Sequence, residues 1–277
     1  EYADLYIANR GDKLIPLVPR ALRRVFWVHN PAQYLFKWRY IKKIWHRKPI
    51  IVFIGQYHSS TYPFYAPGGR RRRVIPYGIS GDFLSIPKSE TPPPPKAIFT
   101  SNPLRSLDWL LTVWKKHIFP YVPNAELHLF SGALTYGKIG MEKSNEMSKI
   151  MEIAKNLKGA GVIIRKPAPK STLIEEFKNS RVMLYRGDVN ETFCLALGEA
   201  QAAGVPAVVQ NIGSVAERVR PGVTGAVTST TKQFAESAIE LLTNDVCWSG
   251  MHENAQSLQR SWGWPEAAKA FEEIVSV

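Results

Sequence analysis

The chain has 277 residues, of which 45% are hydrophobic and 21% are charged. This composition fits a folded protein with a sizeable core and argues against disorder, a collagen and a bundle of membrane helices. No apolar run approaches the roughly 18 residues that a membrane-spanning helix needs. Only two cysteines are present, Cys194 and Cys247, which excludes a disulfide framework and predicts a reducing, cytoplasmic location.

Positive charge is concentrated at the start of the chain. Residues 1–95 carry 16 Lys or Arg and 5 Asp or Glu, against 20 and 18 in residues 96–277. Such a basic segment suits an anionic partner: a nucleic acid, an acidic lipid surface or a phosphorylated substrate. No zinc-ligand spacing, RNP-like run or helix-turn-helix pattern accompanies it, so no nucleic-acid partner is expected.

Strand and helix patterns alternate before a proline-rich stretch. Strands are predicted at 5–8, 25–28, 50–54 and 74–76, and a helix at 33–47. This alternation favours a parallel sheet. Four consecutive prolines lie within 89–95 and cannot join a helix or a central strand, so we predict a linker and a domain boundary there.

The alternation is more regular after the prolines and predicts a doubly wound sheet, whose ligands bind beyond the carboxyl ends of the strands. The predicted strands are 97–100, 126–130, 162–164, 182–185, 206–209 and 225–228. The predicted helices are 106–117, 143–156, 173–179, 193–203 and 232–243, with a helical turn at 215–218.

The segment DVNETFCLALGEAQAAGVPA (188–207) carries the strongest chemical signal. Thr192 is a predicted N-cap, so the backbone N–H groups of Phe193, Cys194 and Leu195 would face the preceding loop, where a diphosphate can bind. We interpret the Cys194 side chain as packing at the helix start, because no histidine partner for a nucleophile is evident.

Glu191 and Glu199 mark the two ends of this segment. They lie eight positions apart, about 12 Å along a helix, which suits the two ends of a nucleotide-sugar. An ordinary amphipathic helix with a solvated glutamate would explain either residue alone. The loop, the AQAAGVP ending and the following strand together favour the functional interpretation.

Residues 182–209 resemble the Glu-x7-Glu segment of the retaining, nucleotide-sugar-dependent glycosyltransferases of the GT-B fold, the group 1 glycosyltransferases. Further segments resemble this family in the same order along the chain: VFWVHNP (25–31), VIPYGIS (74–80), IFTSNPLRSLDWLLTVW (98–114), NAELHLFSG (124–132) and GSVAERVRPGVTGAVT (213–228).

The resemblance implies an α/β fold of GT-B architecture, with two Rossmann-like, doubly wound domains facing a cleft. The N-terminal, acceptor-side domain would span 1–88 and the nucleotide-sugar-binding domain 96–261, and a C-terminal helix within 262–277 would cross back to the first domain. Family members carry a longer N-terminal domain, and ADLYIAN (3–9) resembles one of its middle strands. The resemblance therefore predicts that this domain is incomplete here.

The resemblance also implies residue roles. Glu191 would contact hydroxyls of the donor sugar and Glu199 those of the ribose, while Thr192, Phe193, Cys194 and Leu195 would border the donor. Arg105 lies where the family places a basic residue on the diphosphate, a match that suits a guanidinium. His29 would lie against the donor sugar at the reacting centre. A solvated arginine and a structural histidine bonded to a neighbouring loop are the alternatives.

The implied reaction moves a sugar from a nucleotide-diphosphate donor to a hydroxyl with retention of configuration, by front-face attack and without a metal or another cofactor. A lipid-linked or surface glycan would be the acceptor, in cell-surface glycan or lipopolysaccharide synthesis. Three alternatives stay open: an inactive donor-binding remnant, a GT-B epimerase or phosphorylase, and a polyanion-binding module.

Two basic segments could also meet an anionic membrane at its inner face. The first segment is 36–48, whose bases flank a helical stripe that starts just before it at Tyr34 and continues through Trp38, Ile41 and Trp45. We expect this stripe to pack against the sheet. A basic helix that contains Trp can also lie at a membrane interface. The second segment is a loop of four arginines that could meet an acidic lipid or a phosphorylated acceptor, with an ordinary solvated loop as the alternative. The basic residues concerned are Lys37, Lys42, Lys43, Arg70, Arg71, Arg72 and Arg73.

Overall fold

The computed structural model of the protein describes residues 2–132 and 141–276. The chain forms two compact units. The first comprises Glu1–Gly78, Val189–Cys194 and Trp262–Val277, and the second comprises Ile79–Asp188 and Leu195–Ser261. Each unit contains one parallel sheet with helices, as the alternation of strand and helix patterns predicts.

The strands are β1 (Tyr2–Asn9), β2 (Arg20–Trp27), β3 (Ile50–Phe53), β4 (Arg72–Val74), β5 (Lys96–Phe99), β6 (Glu126–Phe130), β7 (Val162–Arg165), β8 (Val182–Tyr185), β9 (Ala207–Gln210) and β10 (Gly225–Thr228). The helices are α1 (Trp38–Arg47), α2 (Gln56–Ser60), α3 (Gly81–Leu84), α4 (Leu107–Val113), α5 (Ser144–Lys155), α6 (Lys170–Lys178), α7 (Leu195–Ala202), α8 (Thr231–Thr243), α9 (Asp245–Gln259) and α10 (Trp264–Glu272). A π-helical turn, Trp114–Ile118, extends α4. Among the described residues, no helix combines the length and apolarity required to cross a bilayer.

The sheet of the first unit has the sequential order β1-β2-β3-β4, and all its neighbouring strands are parallel. Val25 and Phe26 are adjacent on β2 and both are buried, in two different core clusters. Because successive strand residues point to opposite faces, the sheet must be covered on both sides. Phe271 of α10 belongs to the cluster of Val25, so the C-terminal helix packs against this sheet.

The predicted helix 33–47 is divided in two. A 3-10 turn, Ala32–Phe36, is separated from α1 by Lys37, whose backbone is extended. This break changes the face that α1 presents to the core: Tyr40 and Ile44 are buried, whereas Trp38 and Trp45 are 73% and 72% exposed. The expected burial of the Tyr34–Trp38–Ile41–Trp45 stripe is therefore wrong for its two tryptophans.

The division between the units follows Gly78 and differs from the predicted linker at 89–95. Residues before and within the proline stretch pack inside the second unit. The Phe83 ring lies 6.0 Å from that of Phe177, and the Ser89 N–H donates to His252 Nε2 at 3.1 Å. The Pro95 carbonyl accepts from the Glu126 N–H at 3.0 Å. The prolines are thus anchored at the start of β5.

The sheet of the second unit has the order β10-β9-β8-β5-β6-β7, with every neighbouring pair parallel. The chain runs from β5 outward through β6 to β7, then returns to β8 on the other side of β5 and continues to β9 and β10. The strand order therefore reverses between β5 and β8. In doubly wound sheets, ligands bind beyond the carboxyl ends of the strands at such a switch point.

Candidate functional site

Two loops of the second unit meet beyond the carboxyl ends of β5 and β8. Arg105 follows β5, and its Nη1 donates to Asp188 Oδ1 at 3.0 Å. The Ser106 hydroxyl donates to the Gly187 carbonyl at 3.3 Å. The predicted diphosphate-binding arginine thus lies at the switch point. It is ion-paired and partly buried, with 30% of its side chain exposed, rather than a solvated surface residue.

Ser214 is a further residue near this loop that the sequence did not single out. It precedes the 3-10 turn Val215–Arg218, whose Val215 side chain packs so closely on Gly187 that a Cβ there would lie only 2.8 Å from it. The Ser214 side chain is 1% exposed, and its hydroxyl has no hydrogen-bond partner among the described residues. A buried hydroxyl without a partner is costly, so a ligand oxygen at this position would stabilise it.

The stretch Val189–Cys194 belongs to the first unit and is held there at three points. The Tyr57 hydroxyl donates to the Val189 carbonyl at 2.7 Å. The Thr192 hydroxyl donates to the His29 carbonyl at 2.7 Å. The Phe193 ring meets the Tyr77 ring edge-on at 5.1 Å. Glu191, the predicted sugar-side carboxylate, is half-buried in the middle of this anchored stretch.

The start of α7 differs from the prediction. The helix begins at Leu195, and Thr192, which uses its hydroxyl as a donor to His29, is not its N-cap. Cys194 is buried and has a φ of +58°. This left-handed conformation cannot be part of a right-handed α-helix, so the helix does not extend before Leu195. Phe193 and Cys194 therefore lie outside the helix, and so does Glu191. The predicted 12 Å helical separation of Glu191 from Glu199 does not apply.

Glu199 lies on α7 and is buried, with 9% of its side chain exposed. Lys170 Nζ donates to its Oε1 at 2.6 Å. Burial raises the pKa of Glu199, and the hydrogen bond from Lys170 opposes that rise. Lys170 begins α6 and lies 29 positions before its partner, so no local sequence pattern could have identified the pair.

His29 follows β2 and is 7% exposed. Its Nδ1 contacts the Tyr77 hydroxyl, and its Nε2 lies 2.6 Å from Asn9 Oδ1. Burial lowers the pKa of His29 from 6.5 to about 4, helped by the positive charges of Arg10 and His58. The ring is therefore neutral at pH 7. With Nε2–H donating to Asn9 and Nδ1 accepting from Tyr77, both nitrogens are occupied, as the structural alternative for this residue expects.

Close packing fixes one face of α7 within the second unit. A Cβ on Gly198 would lie 2.6 Å from Nη2 of Arg218. The Arg218 carbonyl accepts from Gln201 Nε2 at 2.6 Å, and its guanidinium donates to Gln259 Oε1 at 2.6 Å. The helix that carries Glu199 is thereby attached to the turn after β9 and to α9.

Comparisons with known proteins agree with this architecture. Residues 129–259 match the family described as glycosyl transferases group 1. None of the curated proteins compared with the chain matches its sequence significantly.

Solved structures match nearly the whole chain at low identity. HepE from Anabaena, in complex with UDP and glucose, has a TM-score of 0.72 and 14% identity, with 99% of this chain and 78% of HepE covered. TarM from S. aureus, in a complex that contains UDP, has a TM-score of 0.73 and 13% identity, with 99% and 56% covered. Sucrose-phosphate synthase from Thermosynechococcus elongatus has a TM-score of 0.72 and 14% identity, with 98% and 72% covered.

These matches confirm the GT-B fold, which the two parallel sheets also display. They confirm the resemblance of the Glu-x7-Glu segment as well, since that segment lies inside the matched residues. Residues 129–259 are thus similar to the group 1 glycosyltransferases, as the resemblance predicted.

Proposed function

We propose that the protein transfers a sugar from a nucleotide-diphosphate donor to a hydroxyl acceptor with retention of anomeric configuration. The observation that carries the proposal is the position of Arg105 and Gly187–Asp188 at the strand-order reversal of the second sheet. A nucleotide binds at such a crevice in doubly wound folds, and the Glu-x7-Glu segment follows Asp188 along the chain.

In this proposal Arg105 binds the donor diphosphate. A guanidinium forms two parallel hydrogen bonds with phosphate oxygens and offsets the charge that develops on the leaving group. When the donor binds, its diphosphate would replace part of the ion pair between Arg105 and Asp188. The Ser214 hydroxyl is available as a further donor to a ligand oxygen. Glu199, which already accepts a hydrogen bond from Lys170, suits the ribose hydroxyls as a further acceptor of hydrogen bonds.

The sugar-side roles of Glu191 and His29 remain predictions. A neutral His29 with both nitrogens occupied is unsuited to proton transfer, so we assign it a positioning role: its carbonyl accepts the hydroxyl of Thr192, next to Glu191. The acceptor proton would then pass to the departing phosphate. This route requires no metal, and we expect EDTA to leave the reaction rate unchanged.

Donor binding tests the proposal directly. UDP and UDP-glucose are the first candidates, because HepE is described in complex with UDP and glucose. A ligand specific to the native state raises the melting temperature. Arg105→Ala removes charge-assisted hydrogen bonds of about 2 kcal/mol and should weaken donor binding roughly thirtyfold. Glu199→Ala should weaken it as well.

The matched control is Lys178→Ala, which removes an exposed ion pair with Glu175 on α6 and should leave donor binding unchanged. Full affinity in Arg105→Ala and Glu199→Ala, or equal loss in Lys178→Ala, would refute the site assignment. UDP release measured with and without candidate acceptors then separates transfer from simple binding. Proton NMR of glucose freshly released from UDP-glucose reports configuration, and the α anomer is expected.

The acceptor side of the proposal is a lipid-linked or surface glycan at the cytoplasmic face of an anionic membrane. Some of the basic residues named above are engaged within the protein, and others are exposed and could contact a membrane. Lys43 is paired with Asp12 at 2.6 Å. Arg72 is half-buried, and its guanidinium donates to the Ser59 carbonyl at 3.0 Å. Arg70, Arg71 and Arg73 are exposed, as are Lys37 and Lys42, and these remain candidates.

A further inference from the structure

An uninterrupted basic stretch makes up most of the first unit. Residues 13–81 contain fourteen Lys or Arg and neither Asp nor Glu. Such a segment carries a positive potential that its own sequence cannot neutralise. The fold brings four of these charges together in one place.

A cavity of about 620 Å³ does so at the edge of the first sheet where β3 and β4 begin. Arg23, Arg70, Arg71 and Arg73 line it, and Ile50 and Ile274 belong to its aliphatic part. We call this the arginine cavity. It lies at the amino-terminal edge of the strands, opposite the edge at which His29 follows β2, and is therefore separate from the proposed sugar site.

The four arginines of this cavity keep donors available. Within residues 2–132 and 141–276, no carboxylate lies within 4 Å of their guanidinium groups, although Glu273 also lines the cavity. Arg71 and Arg73 each donate to one backbone carbonyl, of Lys48 and Arg72 respectively, at 3.2 Å. Each guanidinium has five N–H donors, so most of them face no protein acceptor.

Exposed aromatic side chains lie directly beside the arginine cavity. An adjoining cavity of about 510 Å³ shares Arg70 and Arg71 with it and is also lined by Trp45, Phe64 and Tyr65. These three side chains are 72%, 64% and 76% exposed. Large aromatic residues this exposed mark an interaction surface, and aromatic rings beside basic residues suit the water–lipid interface of a membrane.

We propose that the arginine cavity binds the phosphate group of an anionic membrane lipid while Trp45, Phe64 and Tyr65 enter the headgroup region beside it. The guanidinium groups match the charge and geometry of a phosphate. The aliphatic side chains of the arginine cavity can contact the apolar portion of a lipid, whereas a fully hydrophilic polyanion has no apolar group to place against them. The proposal extends the membrane contact proposed above and does not depend on sugar transfer.

Vesicle sedimentation tests the proposal with the intact chain. Wild-type protein should pellet with phosphatidylcholine vesicles that contain phosphatidylglycerol and stay in solution with phosphatidylcholine alone. Because each basic residue near an anionic surface contributes about a fivefold gain, the Arg70→Gln, Arg71→Gln, Arg73→Gln triple variant should bind roughly a hundredfold more weakly. Trp45→Ser should weaken binding severalfold, and Glu273→Gln should strengthen it.

The matched control removes three exposed charges from the second unit, through Lys115→Gln, Lys116→Gln and Lys149→Gln. Retained vesicle binding in this control supports a defined site. Equal loss in both triple variants, or equal binding to neutral vesicles, overturns the proposal. Complete competition by millimolar inorganic phosphate would assign the cavity to a soluble phosphate, and arginine-dependent binding of RNA without vesicle binding would assign it to nucleic acid.

Donor binding by the same variants keeps the two proposals distinct. The arginine triple variant should retain the full rise in melting temperature with UDP-glucose. If no protein, wild-type included, responds to a nucleotide-sugar, the proposed function fails while the vesicle result stands. If donor binding is intact and vesicle binding is absent in wild type, only the lipid site fails.

Discussion

The two units treat positive charge in opposite ways. In the second unit, the cations near the sheet face carboxylates: Arg105 with Asp188 at 3.0 Å, Lys170 with Glu199 at 2.6 Å and Arg181 with Asp245 at 2.7 Å. In the first unit, the arginines of the arginine cavity have no such partner among the residues described by the structure. Lys43, paired with Asp12, is an exception within that unit.

The paired cations of the second unit thus stabilise the fold, whereas the arginines of the arginine cavity are available to bind an external anion. A paired, buried cation fixes two segments relative to each other, and a ligand must displace its carboxylate before it can bind. An exposed cation without a partner contributes little to stability, and its charge is not neutralised, so it can attract an approaching anion. Removing charges of the two kinds should therefore affect different measurements.

The largest expected effect is on stability, at Arg181. Its side chain is 7% exposed, its Nε donates to the Leu241 carbonyl at 2.9 Å and its Nη2 donates to Asp245. Arg181→Met should lower the free energy of unfolding by about 3 kcal/mol, because a buried carbonyl loses a charged donor and an ion pair is broken. Urea unfolding measures the change.

Arg70→Met is the matched change in the first unit and should alter stability by less than about 0.5 kcal/mol. Similar losses in the two variants would erase the distinction between the units.

The second effect is a pH dependence from His29. The pKa of His29 is about 4 in the folded protein and 6.5 ordinarily, so the unfolded chain takes up a proton first as the pH falls. Stability should therefore drop between pH 6.5 and 4, by about 2.5 kcal/mol at pH 4.5 relative to pH 7. His29→Gln should remove this contribution.

The pKa of His58 is also lowered to about 4 by burial, so the variant should retain the part of the acid sensitivity that His58 causes. Denaturant unfolding at a series of pH values measures both slopes. An unchanged slope in His29→Gln would show that the pKa of His29 is the same in the folded and unfolded protein.

The third effect is on stability, through the ion pair of Lys170 with Glu199. Lys170→Met leaves this buried carboxylate without its donor and should cost about 2 kcal/mol at pH 7. Because burial already raises the pKa of Glu199, the loss should shrink as the pH falls and Glu199 takes up a proton. Lys178→Met removes an exposed pair on the same helix and should have little effect at any pH. A pH-independent loss in Lys170→Met would contradict the electrostatic explanation.

The smallest expected effect concerns the ion pair at the switch point. If Asp188 competes with the donor for Arg105, Asp188→Asn should strengthen UDP binding about threefold, since partly exposed pairs contribute up to about 1 kcal/mol. Calorimetric titration of UDP into both proteins measures the change. Weaker binding would mean that Asp188 holds Arg105 in its binding position rather than blocking it.

Much of the fold could be predicted from local patterns, because buried parallel strands are short apolar runs. The predicted strands 126–130, 182–185 and 225–228 agree with β6, β8 and β10 residue for residue. The helix predicted at 33–47 agrees less well with the structure, because a single extended residue, Lys37, divides it and changes which side chains of α1 are buried. Periodicity assumes a continuous helix and cannot show such a break.

The candidate site was predictable only in part for a similar reason. The family resemblance singled out Arg105 and Glu199 as candidates, and both lie in the second unit. Their partners, Asp188 and Lys170, are 83 and 29 positions away, and only the folded sheet brings them together. The left-handed Cys194 likewise has no sequence signature, and it moved the helix start past the predicted N-cap Thr192.

The contact of Gly198 with Arg218 has an evolutionary consequence. A Cβ at position 198 would lie 2.6 Å both from the Arg218 guanidinium and from the Ile79 side chain. A larger side chain at 198 therefore requires both neighbours to shift, and a shorter residue at 218 should make alanine or serine at 198 easier to accommodate. Homologous sequences should therefore show correlated replacement at these two positions.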